Sequence, residues 1–427
     1  MTNQAMLAIG VFLVTYGLII SEKIHRTIVA ILGGLIILAL GIITQETAIH
    51  HIDFNTLGLL TGMMIIVAIT ARTGLFNYVA VWSAKKAQAD PKKIMISLAL
   101  ITGLFSAMLD NVTTVLLMVP VTFSITRQLQ LDPMPYLISQ ILASNIGGTA
   151  TLIGDPPNIM IGSAVKELTF MAFIHHLAAI SFLILVVTVF LLAYIYRNRF
   201  TAVEHLKDTL MARNELDEIV DSALLKKCLV VLVVTFAGFF AHQALQLESA
   251  TVALAGAFLL LLITAKTDHD LEKTFTKVEW PTIFFFIGLF VLVGALVETG
   301  VISLLAKSAI AWTGGDAAVA AMLILWLSAI ASAFVDNIPF VATMIPLIKD
   351  MGAMGITNLE PLWWSLALGA CLGGNGTLIG ASANLIVAGL AAQEGYPIRF
   401  MAFLKIGFPL MILSIMMATG YVYLRYL

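Results

Sequence analysis

Long apolar runs, separated by short polar turns, form the pattern of the chain. Many of these runs approach the roughly 20 residues that an α-helix needs to cross a bilayer. They fall at about 5–21, 27–44, 55–71, 93–109, 111–126, 134–165 and 171–196, and again at about 228–245, 250–265, 281–297, 317–335, 337–348, 360–392 and 400–424. The polar stretch 197–227 lies between the two groups. The pattern predicts an all-α polytopic membrane protein with two transmembrane halves, 1–196 and 228–427, joined by a linker.

The two halves carry the same sequence pattern. A shift of 226 residues (279 − 53) places residues 53–161 on 279–387 without a gap. Polar and glycine positions agree at this offset: Asp110-Asn111 meets Asp336-Asn337, and Gly147-Gly148 meets Gly373-Gly374. Because such residues rarely coincide at one fixed offset by chance, we expect an internal duplication.

Basic residues predict how the halves lie in the membrane. If each half has five crossings and one hairpin that enters and leaves on the same side, the linker shares its side with 22–26, 72–93, 127–133, 265–277 and 393–405. The other side then keeps only four of the 23 Lys and Arg residues, which are Lys166, Lys307, Lys349 and Arg425. Cytoplasmic loops carry the excess of Lys and Arg, so the linker is predicted to be cytoplasmic and both termini outside the plasma (inner) membrane. An odd number of crossings inverts the second repeat, as in many secondary transporters.

Two pairs of apolar arms, at about 93–126 and 317–348, are predicted to be re-entrant hairpins. Each pair meets at an Asp-Asn, Asp110-Asn111 in the first half and Asp336-Asn337 in the second. Two full crossings would place these acids at the far membrane surface, and the sequence leaves that alternative open. The hairpin interpretation is favoured because it produces the charge bias and brings both tips from opposite sides toward the midplane.

Acidic residues at membrane depth are functional candidates, because inserting one costs roughly 2.5–3.5 kcal/mol or more. The candidates are Asp110, Asp155 and Asp336. Helix capping is the alternative explanation, since Asp and Asn are good N-caps and each Asp-Asn pair precedes an apolar run. The two roles are compatible: a helix that starts at mid-membrane offers free N–H groups, and the preceding arm ends in free carbonyls.

Residues 145–158 interrupt an apolar run that is long enough to span the bilayer. Their glycines loosen the helix, and Pro156-Pro157 prevent its continuation. This predicts a helix broken in mid-membrane at about 134–165, with a repeat mate at about 360–392, although a packing kink is the alternative. Exposed oxygens at such breaks can bind a cation or accept hydrogen bonds. The predicted substrate- or ion-binding residues are Asp110, Asn111, Thr113, Thr114, Asn145, Thr149, Thr151, Asp155, Asn158, Asp336, Asn337, Cys371, Asn375, Thr377 and Asn384.

The halves differ at the predicted site. Ala381 stands in the second half where the first has Asp155, and Pro339-Phe340 replaces Thr113-Thr114. The first half therefore supplies more oxygen ligands and an additional acid. We expect Asp110, Asp155 and Asp336 to take part in proton coupling, with Asp155 setting the preference for protons or cations.

The motifs at 106–114 and 148–158 resemble those of the arsenite permease / sodium–proton antiporter (ArsB/NhaD) family of the ion transporter superfamily, most closely the branch with the pigmentation P protein. The resemblance covers nearly the whole chain. It implies two inverted five-helix repeats and a substrate site between a scaffold and a moving transport domain. In the dicarboxylate branch, Ser-Asn-Thr motifs at the hairpin tips bind sodium. This chain has Asp110-Asn111-Val112-Thr113 and Asp336-Asn337-Ile338-Pro339 there instead, which argues against sodium-coupled dicarboxylate uptake.

The charges of the predicted site bear on the cargo. Three carboxylates repel a dianion in a low-dielectric site unless they are protonated or paired, and no Lys or Arg lies in the hairpin tips or broken helices. We therefore expect a cation, or a neutral polyhydroxyl such as arsenous or antimonous acid. The expected function is alternating-access secondary transport, first as proton-coupled efflux of arsenite or antimonite. Sodium–proton antiport is the alternative, and an anion transporter or a channel are further ones. The coupling ion is H⁺ or Na⁺, and no cofactor is expected.

Composition argues against several other classes of protein. With 60% hydrophobic and 11% charged residues, the chain has too little polar surface for a soluble domain. Two cysteines, Cys228 and Cys371, do not make a disulfide framework, and no basic cluster suits nucleic acid. An intramembrane aspartyl protease would need Tyr-Asp and Gly-x-Gly-Asp, but Leu109 precedes Asp110 and Ile153 holds the first glycine position, so no enzyme is expected. Beside lipid and a small inorganic solute, a homodimer and a cytosolic ATPase subunit, which accompanies some arsenite permeases, stay open as partners.

Overall fold

The computed structural model describes residues 2–21, 23–200 and 204–427, and every regular element in these ranges is a helix. The first half contains α1 (Asn3–Ser21), α2 (Arg26–Ala39), α3 (Gln45–His51), α4 (Phe54–Ala71), α5 (Leu75–Lys86), α6 (Pro91–Met108), α7 (Asn111–Gln128), α8 (Met134–Gly148), α9 (Pro156–Ala164), α10 (Phe170–Phe173) and α11 (Ala179–Ile195). A π-helical turn, Ile174–Ala178, joins α10 to α11. The connecting segment holds α12 (Glu204–Ala212) between two short 3₁₀ turns.

The second half contains α13 (Ser222–Ala241), α14 (Ser249–Thr264), α15 (Asp268–Phe275), α16 (Trp280–Glu298), α17 (Val301–Thr313), α18 (Ala317–Phe334), α19 (Asn337–Ala353), α20 (Glu360–Gly373), α21 (Ser382–Gln393) and α22 (Phe400–Tyr426). Among the described residues, eight helical segments are long and apolar enough to cross a membrane, namely α1, α4, α6, α10–α11, α13, α16, α18 and α22. The predicted all-α polytopic fold class is confirmed.

The helix bounds repeat at the offset found in the sequence. α4 begins at Phe54 and α16 at Trp280 (280 − 54 = 226), and α7 and α19 begin at Asn111 and Asn337 (337 − 111 = 226). Side-chain hydrogen bonds repeat as well, as two equivalent pairs show. The hydroxyls of Ser106 and Ser332 donate to the carbonyls of Ser144 and Ala370, each at 2.6 Å, and those of Thr151 and Thr377 donate to the carbonyls of Ala107 and Ala333, each at 2.5 Å. The duplication is thus visible in the fold, while the inversion of one half across the bilayer stays a prediction.

Helices from opposite halves cross closely at two equivalent places. Gly62 on α4 packs against Ala253 on α14, and its repeat mate Gly288 on α16 packs against Ala30 on α2. A Cβ at Gly62 would lie 2.7 Å from a backbone carbon of Ala253, and one at Gly288 would lie 2.5 Å from a backbone carbon of Ala30. Small residues allow such close approach where helix association in lipid depends on packing. Each half therefore packs α4, or its mate α16, on a helix of the other half.

Within each half, the first hairpin arm packs on the broken helix. Gly147 on α8 lies against the backbone of Gly103 on α6, and its mate Gly373 on α20 lies against Ala329 on α18. The start of each break is thereby held directly against a hairpin arm.

Replacing Gly147 by Ala is expected to lower the free energy of unfolding by at least roughly 1–3 kcal/mol. The added Cβ would lie 2.0 Å from the carbonyl oxygen of Gly103, so two backbones would have to separate. The measurement is the thermal unfolding midpoint of the purified protein in detergent. Gly10→Ala is the control, because nothing lies within 4 Å of a Cβ there. Equal midpoints for the two variants would contradict the close α6–α8 packing.

Helix α13 begins inside the polar stretch 197–227 that is predicted to be the linker. α13 begins at Ser222 because the side chain of Asp221 accepts a hydrogen bond from the backbone N–H of Leu224 at 2.9 Å, which caps the helix. Lys226 and Lys227 therefore belong to the first turns of α13. Polar side chains near a membrane surface obscure such a helix start in the hydrophobic pattern.

The linker defines one face of the protein, which we call the linker face. Lys85 at the end of α5 forms an ion pair with Glu215 at 2.5 Å, and the N–H of Val220 donates to the carbonyl of Thr73 at 3.0 Å. The ends of α4 and α5 thus lie beside the linker. That this face is cytoplasmic stays a prediction.

Candidate functional site

Both Asp-Asn tips form helix N-caps. Asp110 lies between α6 and α7, and its carboxylate accepts from the backbone N–H of Thr113 at 2.8 Å and from the Thr113 hydroxyl. Asp336 lies between α18 and α19 and accepts from the backbone N–H of Ile338 at 3.1 Å. Both acids are buried. The capping interpretation therefore applies to both residues, and it leaves a second carboxylate oxygen of Asp336 for other contacts.

Each broken helix is stabilised by one asparagine across the break. Between α8 and α9, the side-chain amide of Asn158 donates to the carbonyls of Thr149 at 3.1 Å and Thr151 at 2.9 Å. Between α20 and α21, the amide of Asn384 donates to Gly374 at 2.7 Å and Thr377 at 2.9 Å. The breaks leave these carbonyls without helical partners, and the two asparagines satisfy them.

A chain of buried amides connects the two halves. The amide of Asn111 donates to the Asn145 oxygen at 3.1 Å. The amide nitrogen of Asn145 in turn donates to the side-chain oxygens of Asn375 and Asn384, each at 2.9 Å. These side chains thus join the first hairpin tip to both broken helices, although Asn145 and Asn375 are 230 positions apart in the sequence.

The central cavity lies between the hairpin tips, the two broken helices and the helices α2, α4 and α16. Its lining residues are Arg26, Leu60, Met64, Asp110, Asn111, Val112, Asp155, Pro156, Glu279, Thr282, Asn337, Ile338 and Ser382. Four of the predicted residues therefore line it directly, and these are Asp110, Asn111, Asp155 and Asn337.

Asp155 is the most isolated acid of this cavity. It is completely buried, and one carboxylate oxygen accepts from the amide of Asn337 at 3.3 Å. The other oxygen, Oδ2, has no hydrogen-bond partner among the residues that the structure describes. Although Asp155 precedes α9, its side chain does not cap that helix. A group of this kind is costly to bury as a charged carboxylate.

Asp336 has a cationic partner that comes from outside the hairpin tips and broken helices. Arg26, the first residue of α2, forms an ion pair with Asp336 and donates to the Ser382 hydroxyl at 2.5 Å. Ser382 donates to Asp336 at 2.9 Å, and the Arg26 guanidinium lies 4.9 Å from the centre of the Phe285 ring. Asp336 lines a neighbouring pocket. Arg26 and Ser382 line both this pocket and the central cavity. The three predicted acids are therefore not electrostatically alike.

The remaining predicted residues lie behind the cavity wall. The Thr149 hydroxyl donates to the Asn145 carbonyl at 2.8 Å, and the thiol of Cys371 donates to the Asn158 oxygen at 3.5 Å. Thr114 is buried, and its hydroxyl has no partner in the described part of the chain. The Thr113 hydroxyl donates to Asp110, and the side chains of Thr151, Asn158, Asn375, Thr377 and Asn384 contact backbone or other amides. They position the cavity-lining groups, and their direct contact with cargo stays a prediction.

Four polar lining residues were missed from the sequence: Arg26, Glu279, Thr282 and Ser382. Arg26 begins an apolar helix close to the linker side and was counted only as a charge that orients the protein. Glu279 and Thr282 were visible in the self-comparison, where they pair with Asp53 and Thr56. An acid retained before both α4 and α16 was the signal that could have identified Glu279.

Comparison with known proteins agrees with this architecture. Residues 16–369 match the citrate transporter family. An uncharacterised transporter of Mycobacterium tuberculosis is 42% identical over 429 residues, covering 99% of both chains. A 46 kDa membrane protein of Mycobacterium leprae is 41% identical over 430 residues, also with 99% of each chain covered. The human P protein is 36% identical over 496 residues, which cover 96% of this chain and 59% of the human protein.

A solved structure has a similar fold. The YdaH transporter of Alcanivorax borkumensis, which has an unusual topology, superposes with a TM-score of 0.61 at 13% identity. The match covers 99% of this chain and 98% of YdaH. At this identity, the likeness concerns the fold alone. Together with the relatives named as transporters, it establishes a multi-pass membrane transporter rather than an enzyme, and the resemblance to the P protein branch is confirmed.

Proposed function

The chain belongs to the citrate transporter family of membrane transporters, and on that premise we propose that it is a secondary active transporter that exchanges protons for its cargo by alternating access. The observation that carries this proposal is the environment of Asp155. Among the described residues, its buried carboxyl accepts one hydrogen bond, from Asn337, and its other oxygen has no partner. Such a group is stable when it holds a proton or a cation, and unstable when it holds neither.

The neighbouring acids strengthen this argument. Asp110 and Asp336 both act on Asp155 as like charges across a region of low dielectric. Arg26 compensates Asp336 by direct contact, whereas Asp155 has no ion-pair partner among the described residues. Emptying the cavity of cargo therefore favours proton uptake, and entry of a cation or proton-donating solute favours proton release. Protons and cargo that compete for one set of carboxyls are the chemical basis of antiport.

The cargo that this site suits best is arsenous or antimonous acid, with sodium as the alternative. The lining offers carboxyl oxygens from Asp110 and Asp155 and amides from Asn111 and Asn337. A small neutral molecule with several hydroxyl groups can donate to the carboxylates and accept from the amides. It also avoids the cost of placing an additional negative charge beside these acids. We propose efflux, with the linker face in the cytoplasm because most Lys and Arg residues cluster on that side.

A carboxylate anion is the second candidate, and Arg26 is the observation that favours it. The guanidinium is partly exposed, lines both the central cavity and the neighbouring pocket, and has the planar geometry that binds carboxylates. The family's description as citrate transporters points the same way. An anion would have to displace Asp336 from Arg26. Citrate flux that is lost in Arg26→Gln would establish this alternative.

The test is flux in liposomes that contain the purified protein, a trapped pH dye and an acidic lumen. Radiolabelled arsenite is expected to accumulate inside while the lumen becomes alkaline, because each inward movement of cargo releases protons outward. Collapsing the pH gradient with an ionophore should abolish the accumulation. Parallel vesicles receive sodium or citrate instead of arsenite. If neither arsenite nor sodium moves, the proposed cargo is wrong, and if cargo moves without a change in lumen pH, the proposed coupling is wrong.

A further inference from the structure

Glu279 lies between the central cavity and a second cavity that opens beside the linker face. It lines the central cavity together with Asp110 and Asp155. It also lines the second cavity, which we call the linker-face vestibule and whose other lining residues are Met64, Val67, Ala68, Ala71, Arg72, Thr113, Leu116, Leu117, Lys273 and Lys277. Thr113, whose hydroxyl donates to Asp110, lines this vestibule as well. Two side chains thus connect the vestibule with the first hairpin tip.

The repeat mate of Glu279 shows what this position does when it is purely structural. Asp53 precedes α4 and accepts from the backbone N–H groups of Asn55 at 3.0 Å and Thr56 at 3.2 Å. It also accepts from the hydroxyls of Thr56 at 2.6 Å and Ser163 at 2.8 Å. Every part of that carboxylate is used to cap α4 and to hold α9 against it.

Glu279 is not used in this way. Pro281 stands where the first half has Asn55, and proline has no N–H to donate. Glu279 accordingly makes no capping hydrogen bond to α16, and its carboxylate accepts only a longer hydrogen bond, of 3.2 Å, from the Thr282 hydroxyl among the described partners. The second half has an acid at this position but lacks the backbone capping hydrogen bonds that hold Asp53 in place in the first half. A partly buried carboxyl with little to hold it is free to bind and release a proton.

Burial, together with the charges around Glu279, favours titration near neutral pH. Glu279 precedes the first residue of α16, and desolvation by burial raises its pKa to about 7, assisted by the negative charge of Asp110. The hydrogen bond from Thr282 and the positive charge of Arg26 act in the opposite direction. Arg72, paired with Asp270 at 3.8 Å, and Lys273 and Lys277 face the same vestibule. These cations help to keep the ionised form accessible.

We propose that Glu279 is the carboxyl that passes protons between the linker-face vestibule and Asp110. A proton from vestibule water binds the Glu279 carboxylate and then moves to the Asp110 carboxylate, which leaves Glu279 ionised and ready for the next proton. Release follows the reverse order. The inference rests on the proposed proton coupling, but it assigns the route rather than the cargo. It also explains why the acid is retained at a position where it no longer caps a helix.

The first test does not depend on any cargo. Dicyclohexylcarbodiimide reacts with protonated carboxyls, so labelling of the Glu279 peptide in liposomes can be followed by mass spectrometry between about pH 5.5 and 9, the range in which a carboxyl of this kind titrates. Half-maximal labelling is expected near neutral pH. In Asp110→Asn the midpoint should move to lower pH, because the charge that raises the pKa is gone. An unchanged midpoint in that variant, or labelling that does not vary with pH, would overturn the proposal.

The second test is arsenite flux driven by a pH gradient. Glu279→Gln is expected to slow proton-coupled flux by about tenfold or more and to flatten its pH profile, while Glu279→Asp recovers part of both. Glu272→Gln on exposed α15 is the control and should behave as the unmodified protein. A Glu279→Gln variant with the normal pH profile would refute the route. If the unmodified protein moves no arsenite, the proposed cargo fails, and the labelling experiment still decides the role of Glu279.

Discussion

Replacing Asp155 by Asn is expected to lower pH-driven transport by roughly 100-fold, the scale on which a positioned proton-transferring group acts. The amide has the shape of the acid but cannot carry a proton. It can still accept the hydrogen bond that Asn337 donates to Asp155. Flux of arsenite and the accompanying change in lumen pH, both measured in liposomes, report the effect.

The same substitution should not destabilise the protein. It removes a buried carboxyl whose second oxygen has no partner among the described residues, so the thermal midpoint is expected to stay level or rise. Loss of activity with a retained midpoint separates a coupling role from misfolding. Asp132→Asn is the control, because Asp132 forms an exposed ion pair with Arg199 at the linker face. Normal pH dependence in Asp155→Asn would refute the coupling role.

Replacing Arg26 by Gln is expected to lower the free energy of unfolding by roughly 1–3 kcal/mol. The substitution leaves Asp336 buried with the Ser382 hydroxyl and one backbone N–H as partners. The effect lies below that of a fully buried pair, because 24% of the Arg26 side chain is exposed while only 9% of Asp336 is. Chemical unfolding of the purified protein in detergent gives the quantity directly.

The informative comparison is the double variant Arg26→Gln with Asp336→Asn. Removing both charges should recover most of the lost stability, since no charge is then left without its partner. If the stability lost in the double variant equals the sum of the losses in the two single variants, Arg26 and Asp336 do not interact. The pair joins the start of α2 to the second hairpin tip, so its breakage also tests whether that tip is held in place by charge.

Sequence reasoning succeeded where the duplication repeats a local pattern. The Asp-Asn tips are predictable because an Asp before an apolar run is a helix cap, and Asp110 and Asp336 both cap helices. The breaks at 149–155 and 374–381 follow from glycines in both halves and, in the first half, from Pro156-Pro157 as well, and these backbone effects are local. The difference between the halves was also visible in the sequence, since Ala381 has no carboxyl group and stands where the first half has Asp155.

Contacts between distant segments were beyond the same reasoning. Arg26 and Asp336 form an ion pair although 310 positions separate them, and the local sequence around one residue does not predict contact with the other. The asparagines were predicted as ligands of the cargo, and that role stays a prediction. The contacts that the structure shows for them were not foreseen: Asn158 and Asn384 donate to the carbonyls of the breaks, and Asn145 donates to the other half. Which atoms of an amide face a cavity depends on three-dimensional packing, and a one-dimensional pattern specifies only that the amide is present.

The amide of Asn145 belongs to one repeat, and its two acceptors, Asn375 and Asn384, belong to the other. A gene cut between the repeats would yield two products, each with an incomplete interior. Neither product could complete this network alone, and two copies of the second product could not replace it, because Cys371 occupies the position equivalent to Asn145. A substitution at Asn145, Asn375 or Asn384 therefore changes a hydrogen bond in both repeats at once.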